Sequence, residues 1–288
     1  MKYQFIHRHR LRFPVLLSCR VLKVRPSGYY AWTKRPLSRR ERENARLLKQ
    51  IRSIHEQSRK TYGSPRIARE LRRKGLYASR QRVARIMRKH GIRAKTRRRF
   101  KVTTNSKHRH FISPNLLKQN FSAESPNRIW VSDITYIRTY EGWLYLTVIL
   151  DLFNREVVGW SVSPRLTAET TSVAALEQAC GRQRPDPNLI FHSDKGIQFA
   201  AVEFRKVLSR NKMIQSMSGK GNCYDNAVAE SFFHTLKTEL VHHERYETRN
   251  QAKRSVLEYI EFFYNRIRLH SALDYQTPIE FKELRMAA

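Results

Sequence analysis

The sequence predicts an α/β protein in two unlike parts: an all-α basic region, then a mixed five-stranded sheet with helices on both faces. Three observations predict it. Charge is lopsided: the 288 residues hold 57 Lys+Arg and 24 Asp+Glu, yet residues 1–120 carry 36 of those cations and only 4 of the acids. Helical periodicity closed by glycines runs through the segment before Gly91, whereas β-branched and aromatic runs begin only at Arg128. After the third of those runs, helical and strand patterns alternate, which favours parallel pairing with helices packed on the sheet.

Composition narrows the function classes. A net charge of +33 placed almost wholly in the front half is the footprint of a polyanion-binding region joined to a nearly neutral one. Hydrophobic residues at 40% and aromatics at 11% suffice for a core, so wholesale disorder is excluded. No apolar run of about 18 residues is present and the N-terminus lacks a secretory pattern, so the expected location is the cytoplasm, with no membrane partner. Cys19, Cys180 and Cys223 are far apart without a Cys-x-x-Cys pair, which predicts free thiols and no disulfide framework or structural zinc site.

Taken in order, a basic helical region spans residues 1–60. Within it, Phe13 to Trp32 carries a weak helical signal with an aromatic end, and Arg40 to Arg59 sets Leu47, Leu48, Ile51 and Ile54 on one stripe. Residues 61–94 read as a helix-turn-helix. Ser64 is expected to cap a helix with Pro65 in its first turn, Ile67, Ala68 and Leu71 inward, and Gly75 as its stop; Ser79 caps a second, with Val83, Ile86 and Met87 inward and Gly91 after it. That second helix leaves Arg80, Arg82, Arg85, Arg88 and Lys89 on its surface, as a recognition helix facing phosphates would. Residues 95–124 lose periodicity and read as a linker whose Arg97, Arg98 and Arg99 can lie along a nucleic-acid backbone.

Residues 125–288 form the sheet domain and its C-terminal helical extension. Strands are expected at 128–137, 142–153 and 157–162, an antiparallel meander, then at 189–192 and 213–217. Helices are expected near 168–179, 200–210, 227–242 and 250–268. This order is the layout of a ribonuclease-H-like domain.

Carboxylates in such strands need a reason, because a buried charge is costly unless it is paired or metal-bound. Asp133 lies inside the first strand. Asp194 follows Phe191-His192-Ser193, where an apolar strand opens into a loop, the place where α/β sheets build sites. Glu230 begins a helix on which His234 and Lys237 share its face. Singly, each acid reads as a turn, cap or helix-dipole residue. Together they suit hard cations such as Mg²⁺ or Mn²⁺, and two such ions would stabilise the attacking and leaving oxygens of a displacement at phosphorus. Asp151 is a further acidic candidate at a strand end. Asp225 and Asn226 are expected to cap the Glu230 helix, His192 to support the loop or a site water, and Arg266, Arg268 and His270 either to touch DNA or to face solvent.

With 35 residues between Asp194 and Glu230 and Lys237 seven positions on, Trp130-Val131-Ser132-Asp133-Ile134-Thr135-Tyr136 and His192-Ser193-Asp194-Lys195-Gly196 resemble the Asp, Asp-35-Glu integrase and transposase superfamily. The stretch from Ser218 to Ala227, Tyr264-Asn265-Arg266-Ile267-Arg268-Leu269-His270-Ser271 with Thr277-Pro278, and Tyr62-Gly63-Ser64-Pro65-Arg66-Ile67 resemble the second-frame product of the insertion-sequence-three transposases. The resemblance implies an integrase catalytic core. In it Asp133, Asp194 and Glu230 would be catalytic and bind two Mg²⁺ or Mn²⁺ ions, and Lys237 would contact element-end DNA. It implies cleavage that frees a 3′-hydroxyl, attack of that hydroxyl on a second phosphodiester, double-stranded DNA partners at both ends and target, a homo-oligomer, and fusion to or partnership with the upstream-frame product. Asn154 and Phe199 depart from the family's usual Ser and Tyr and are expected to be tolerated. A retroviral-type His-His-Cys-Cys zinc module is absent, since residues 1–120 contain only Cys19.

Two other functions fit parts of the pattern. A DNA-binding regulator with a catalytically inactive ribonuclease-H-like domain would need no acidic trio. A ribonuclease or junction resolvase of the same fold would need no basic helix-turn-helix.

Overall fold

The computed structural model describes residues 1–36, 38–95, 113–219 and 223–287; Arg97, Arg98 and Arg99 lie outside the described residues. By its own contacts the chain divides into Met1–Ser53 and Ile54–Ala288.

The first unit holds α1 (Lys2–His9), α2 (Val15–Val21), α3 (Pro26–Lys34) and most of α4 (Arg39–Gln57). Ile6, Cys19 and Tyr29 form its small core, with Tyr3, Val15, Leu22 and Val24 packed around them. Leu47 and Ile51 of α4 are buried, as their shared stripe requires. Cys19 and Cys180 are free thiols.

The second unit opens with two helices joined by a tight turn, α5 (Ser64–Arg73) and α6 (Arg80–Lys89). Gly75 and Gly91 stand at φ +73° and +66°, the left-handed backbone that ends a helix cheaply only with glycine. Ser79 caps α6 by accepting from the Arg82 amide at 3.2 Å. The expected Ser64 cap is displaced by one residue: Gly63 is the cap, and Ser64 with Pro65 already forms the first turn. Val83, Ile86 and Met87 of α6 are buried, and Ile67 and Leu71 of α5 with them.

The sheet has five strands in the order β3-β2-β1-β4-β5. β1 (Ile129–Thr139), β2 (Gly142–Asp151) and β3 (Val157–Ser163) form the antiparallel meander. β4 (Ile190–Ser193) and β5 (Ile214–Met217) add in parallel. The ribonuclease-H-like fold is as expected. A π-type turn, Glu169–Val173, leads into α7 (Ala174–Gln183), and α8 (Ile197–Ala200) precedes α9 (Val202–Arg210). These cover one face over Trp130, Ile149, Val158 and Phe191. α7 can lie close because β3 presents Gly159, where a Cβ would stand 2.6 Å from the Ala175 carbonyl oxygen. The other face, with Val131, Ile137, Leu146 and Val148, is covered by α10 (Ala227–Glu239) and α11 (Arg249–Glu258), which runs on as a π-type turn through Tyr264. The Glu230 helix thus ends at Glu239 rather than near His242, and the last long helix is wound differently beyond Glu258. A further helix, α12 (Pro278–Met286), begins with a capping box between Thr277 and Glu280.

α5 packs against the C-terminal segment. The Tyr62 hydroxyl donates to the Ile267 carbonyl and accepts from the Leu269 amide, each at 2.8 Å. Arg73 pairs with Glu280, and Arg59 with Glu258. Two sequence motifs about two hundred residues apart therefore form one seam.

Candidate active site

β1 outruns its parallel neighbour. β4 pairs with β1 only from Ile129↔Ile190 to Ser132↔Ser193, so Asp194 leaves the sheet just as Asp133 begins the stretch of β1 that β4 does not cover. On the other side Asp133 lies opposite Val148 of β2. Asp194 is held in a tight turn by the Gly196 amide, 2.9 Å from its Oδ1. A Cβ on Gly196 would also stand 2.9 Å from that oxygen. Glu230 lies in the first turn of α10, whose buried face carries Ala229, Phe232, Phe233 and Leu236. Packing that face on the sheet brings Glu230 and Lys237 towards β1.

The three acids act on one another. Burial, followed by the charge of Asp194 and then of Glu230, holds the Asp133 carboxyl well above the usual carboxylate range, against the Ile134 amide and Lys237. Its own Oδ1 accepts from that amide at 2.8 Å. Glu230 is raised by burial and then by Asp194. Burial lowers Lys237, while the attraction of Asp133 opposes it. Asp133, Asp194, Glu230 and Lys237 are thus gathered at one place; His234, on the same helix, is exposed to solvent.

This donor set is oxygen-only and anionic, which matches the preference of a hard divalent cation, and mutual repulsion gives it reason to bind one. Among the described residues, no three His, Cys, Asp or Glu side chains converge closely enough to hold one ion. The trio is an open electrostatic cluster rather than a closed cage.

Several supports of the site take partners that the linear sequence does not show. Asn226 stands at the cap position of α10, but its side chain accepts no cap hydrogen bond from the helix, contrary to expectation. Asp225 accepts instead from the Gly219 amide at 2.8 Å and from Asn115 Nδ2 at 2.9 Å. Asn226 Nδ2 donates to the Ser132 carbonyl at 3.1 Å, tying the start of α10 to the residue before Asp133. His192 is fully buried, with Nδ1 2.8 Å from Ser216 Oγ, and burial pushes it down to about 4. It is a neutral tether between β4 and β5. Asp151 is buried where β2 ends and accepts from the Asn127 and Phe153 amides at 2.7 and 2.9 Å, so it anchors the entry to β1. Asn154 is buried too, donating to Glu156 and to the Pro278 carbonyl, and Phe199 is packed in the core, so both departures are accommodated.

Of the α6 cations, Arg80, Arg85, Arg88 and Lys89 are exposed and Arg82 is half-buried. Arg266 faces solvent, but Arg268 and His270 do not. Arg268 is buried against Glu239, the last residue of α10, with its Nε 2.9 Å and its terminal nitrogen 2.8 Å from the two carboxylate oxygens. Tyr259 donates to the same carboxylate at 2.8 Å, and Arg66 of α5 approaches it at 3.6 Å. His270 stands edge-on to Tyr264, ring centres 4.7 Å apart, and burial followed by the neighbouring Arg268 charge holds it neutral, well below its ordinary range.

A ribonuclease-H-like sheet with one acid inside its central strand and another at the exit of the neighbouring one, joined to a helix-turn-helix, defines an integrase-core protein with a DNA-reading region. The Integrase core domain family matches residues 123–223 and 230–286, and the HTH-like domain family matches residues 41–100. The transposase InsF for insertion sequence IS3A of Escherichia coli is 41% identical, covering 100% of both chains. An insertion element IS600 31 kDa protein of Shigella sonnei is 43% identical over 92% of this chain and 97% of its own. The chain belongs to the IS3 family of insertion-sequence transposases. Among solved structures, the HTLV-2 integrase catalytic core domain in complex with magnesium is 18% identical, covering 55% of this chain and 98% of its own, with a TM-score of 0.42. Among the described residues, no helix is long and apolar enough to cross a membrane.

Proposed function

We propose that this chain is the catalytic subunit of an insertion-sequence transposase, cutting and joining DNA at the element ends with Asp133, Asp194 and Glu230 as its catalytic acids. The observation that carries the reading is the convergence of those carboxylates at the mouth of the sheet, where Asp194 adds to the rise of both Asp133 and Glu230. They would hold two divalent ions, Mg²⁺ or Mn²⁺, which when bound supply charge neutralisation at the reacting phosphate and a lowered pKa for an attacking water. Around them the protein's own groups orient and position. Asn226 fixes the start of α10 against β1, and the Gly196 turn holds Asp194. Lys237 offers an ammonium beside the acids to a backbone phosphate of the end being cut.

On α6, Arg80, Arg85, Arg88 and Lys89, with Arg82 at the margin, would face the phosphates of the duplex, and Arg97, Arg98 and Arg99 would extend that track. Cutting both ends and joining them in one complex favours a homo-oligomer. Fusion to, or pairing with, the upstream-frame product would complete the enzyme, which acts in the cytoplasm on nucleoid DNA.

The test incubates purified protein, with and without the upstream-frame product, with Mg²⁺ and a labelled duplex of the element end. Wild type is compared with Glu230→Gln. Metal-dependent nicking and strand joining that vanish in the variant, while gel-shift binding persists, are expected. Binding without cleavage under every condition would instead make this a DNA-binding regulator with an inactive core.

A further inference from the structure

Beyond Asp133, β1 and β2 project from the sheet as a hairpin with an aromatic face. Register pairs Tyr136 with Tyr145 and Arg138 with Trp143, so these four side chains share one side of the pleat. Tyr136 meets Tyr145 edge-on at 5.4 Å between ring centres and Trp143 at 6.3 Å. Packing does not cover them: Tyr136 is 48% and Trp143 51% exposed. The hairpin beneath is firmly held. Thr139 donates its hydroxyl to the Gly142 carbonyl at 2.7 Å, Arg249 Nε donates to the Trp143 carbonyl at 3.2 Å, and the Arg249 amide donates to Glu141 at 2.7 Å.

The position of this face matters. Tyr136 stands three residues beyond Asp133 on the part of β1 that β4 leaves uncovered, so its ring leaves the opposite face of the strand and only that free edge of β1, beside the exit of Asp194, lies between them. Both acids are near enough to add to the rise of the Tyr136 phenol, after burial and Tyr145. A DNA strand brought to this cluster meets negative charge, which repels phosphates. Flat aromatic rings attract bases without regard to charge, and every base has a π-face. Inside a duplex both faces of a base are covered, so only a terminal or unpaired base can use such a surface. Arg138, exposed beside Trp143, adds a cation for the backbone of the same strand.

We propose that Tyr136, Tyr145 and Trp143 form a stacking platform for unpaired bases of the DNA strand whose phosphodiester lies at Asp133 and Asp194. This rests on the reading of the chain as a DNA-cutting transposase. The platform holds the strand where the acids alone would push it away, and it favours an end whose last base pairs have opened.

The full-length protein is titrated with a labelled duplex bearing a tail of unpaired thymines and with the same duplex lacking the tail. Wild type, Tyr136→Thr and Trp143→Val are compared; the β-branched replacements keep strand propensity and remove the rings. Wild type is expected to prefer the tailed DNA by about tenfold or more, the usual size of one or two base–aromatic stacks. Both variants should lose that preference with unchanged affinity for the untailed duplex, and Trp143→Phe should keep most of it. In parallel, 5-bromodeoxyuridine in the tail is photocrosslinked to wild type and should map to the peptide containing Tyr136, Trp143 and Tyr145. Equal weakening on both DNAs, absence of a tail preference in wild type, or crosslinks elsewhere would overturn the platform. So would a shift in oligomeric state by Trp143→Val with both affinities unchanged, since the face would then be a protein contact. Tail preference that depends on these rings, in a protein that cuts no end DNA with Mg²⁺ even with the upstream-frame product present, would retain the platform and remove the transposase reading.

Discussion

Glu239 and Arg268 form a two-pronged ion pair in the interior, at the C-terminal end of the helix whose first turn carries Glu230. Its removal is therefore expected to disturb both stability and the site. Arg268→Ala leaves a buried carboxylate with only the Tyr259 hydroxyl and the more distant Arg66, and should destabilise the protein by about 3–5 kcal/mol. Replacing both partners with apolar side chains should recover a large part of that loss. Denaturant unfolding of the two single variants and the double variant measures it, and a double variant no better than Arg268→Ala would contradict this account.

Asp133→Asn should stabilise the metal-free protein while abolishing strand cleavage. The substitution removes a charge that burial and two neighbouring acids disfavour. Thermal unfolding without and with Mg²⁺ checks it. Wild type should gain melting temperature on adding the ion and the variant should gain little, because binding to the folded state alone stabilises it.

Burial raises Asp151 from its ordinary 3.8 up to about 6, against the pull of the Asn127 and Phe153 amides. A carboxyl raised on folding binds its proton more tightly in the native state than in the unfolded chain. Its stabilising contribution is complete below the unfolded value and disappears as pH climbs through about 6. Between pH 7 and pH 4 wild type should therefore gain, relative to Asp151→Asn, about 2 kcal/mol. Parallel denaturant titrations of the two proteins should diverge over that window, and curves of equal slope would count against the assignment.

The exposed cations of α6 should make DNA binding salt-dependent. Arg85→Ala or Arg88→Ala is expected to weaken binding similarly on all sequences if the lost contact is to phosphate, and to lower the slope of log affinity against log salt by about 1. Fluorescence anisotropy across a salt series reads that slope. An unchanged slope would place α6 away from the backbone.

Much of the architecture was legible because it depends on local pattern. Asp133 and Asp194 are recognisable as charges in apolar strand segments, and Glu230 by its spacing and its helix. The two helices before Gly91 announce themselves by glycine stops and apolar stripes. What escaped the sequence depends on partners far along the chain. Arg268 and His270 look like surface cations until Glu239 is placed beside them by the packing of α10 against the segment after α11. Asp225 and Asn226 have the chemistry of helix caps, yet Asn115 and the Ser132 carbonyl, each about a hundred residues distant, engage them instead. The Thr277-Pro278-Ile279-Glu280 string, by contrast, is a local signal: it is a capping box and announces the last helix.

The seam at Tyr62 bears on how such enzymes could be recombined. A designer exchanging DNA-reading halves between relatives would naturally splice in the stretch after Lys95, where the pattern lapses. That splice would pair a foreign Tyr62, Arg66 and Arg73 with a resident Ile267, Leu269, Glu239 and Glu280, and mismatched contacts there would be inherited by the helix bearing Glu230. A crossover inside α4, between Ser53 and Ile54, keeps every one of those pairs native. The workable joint lies upstream of the helix-turn-helix, so those two helices and the sheet domain would be exchanged as a single block.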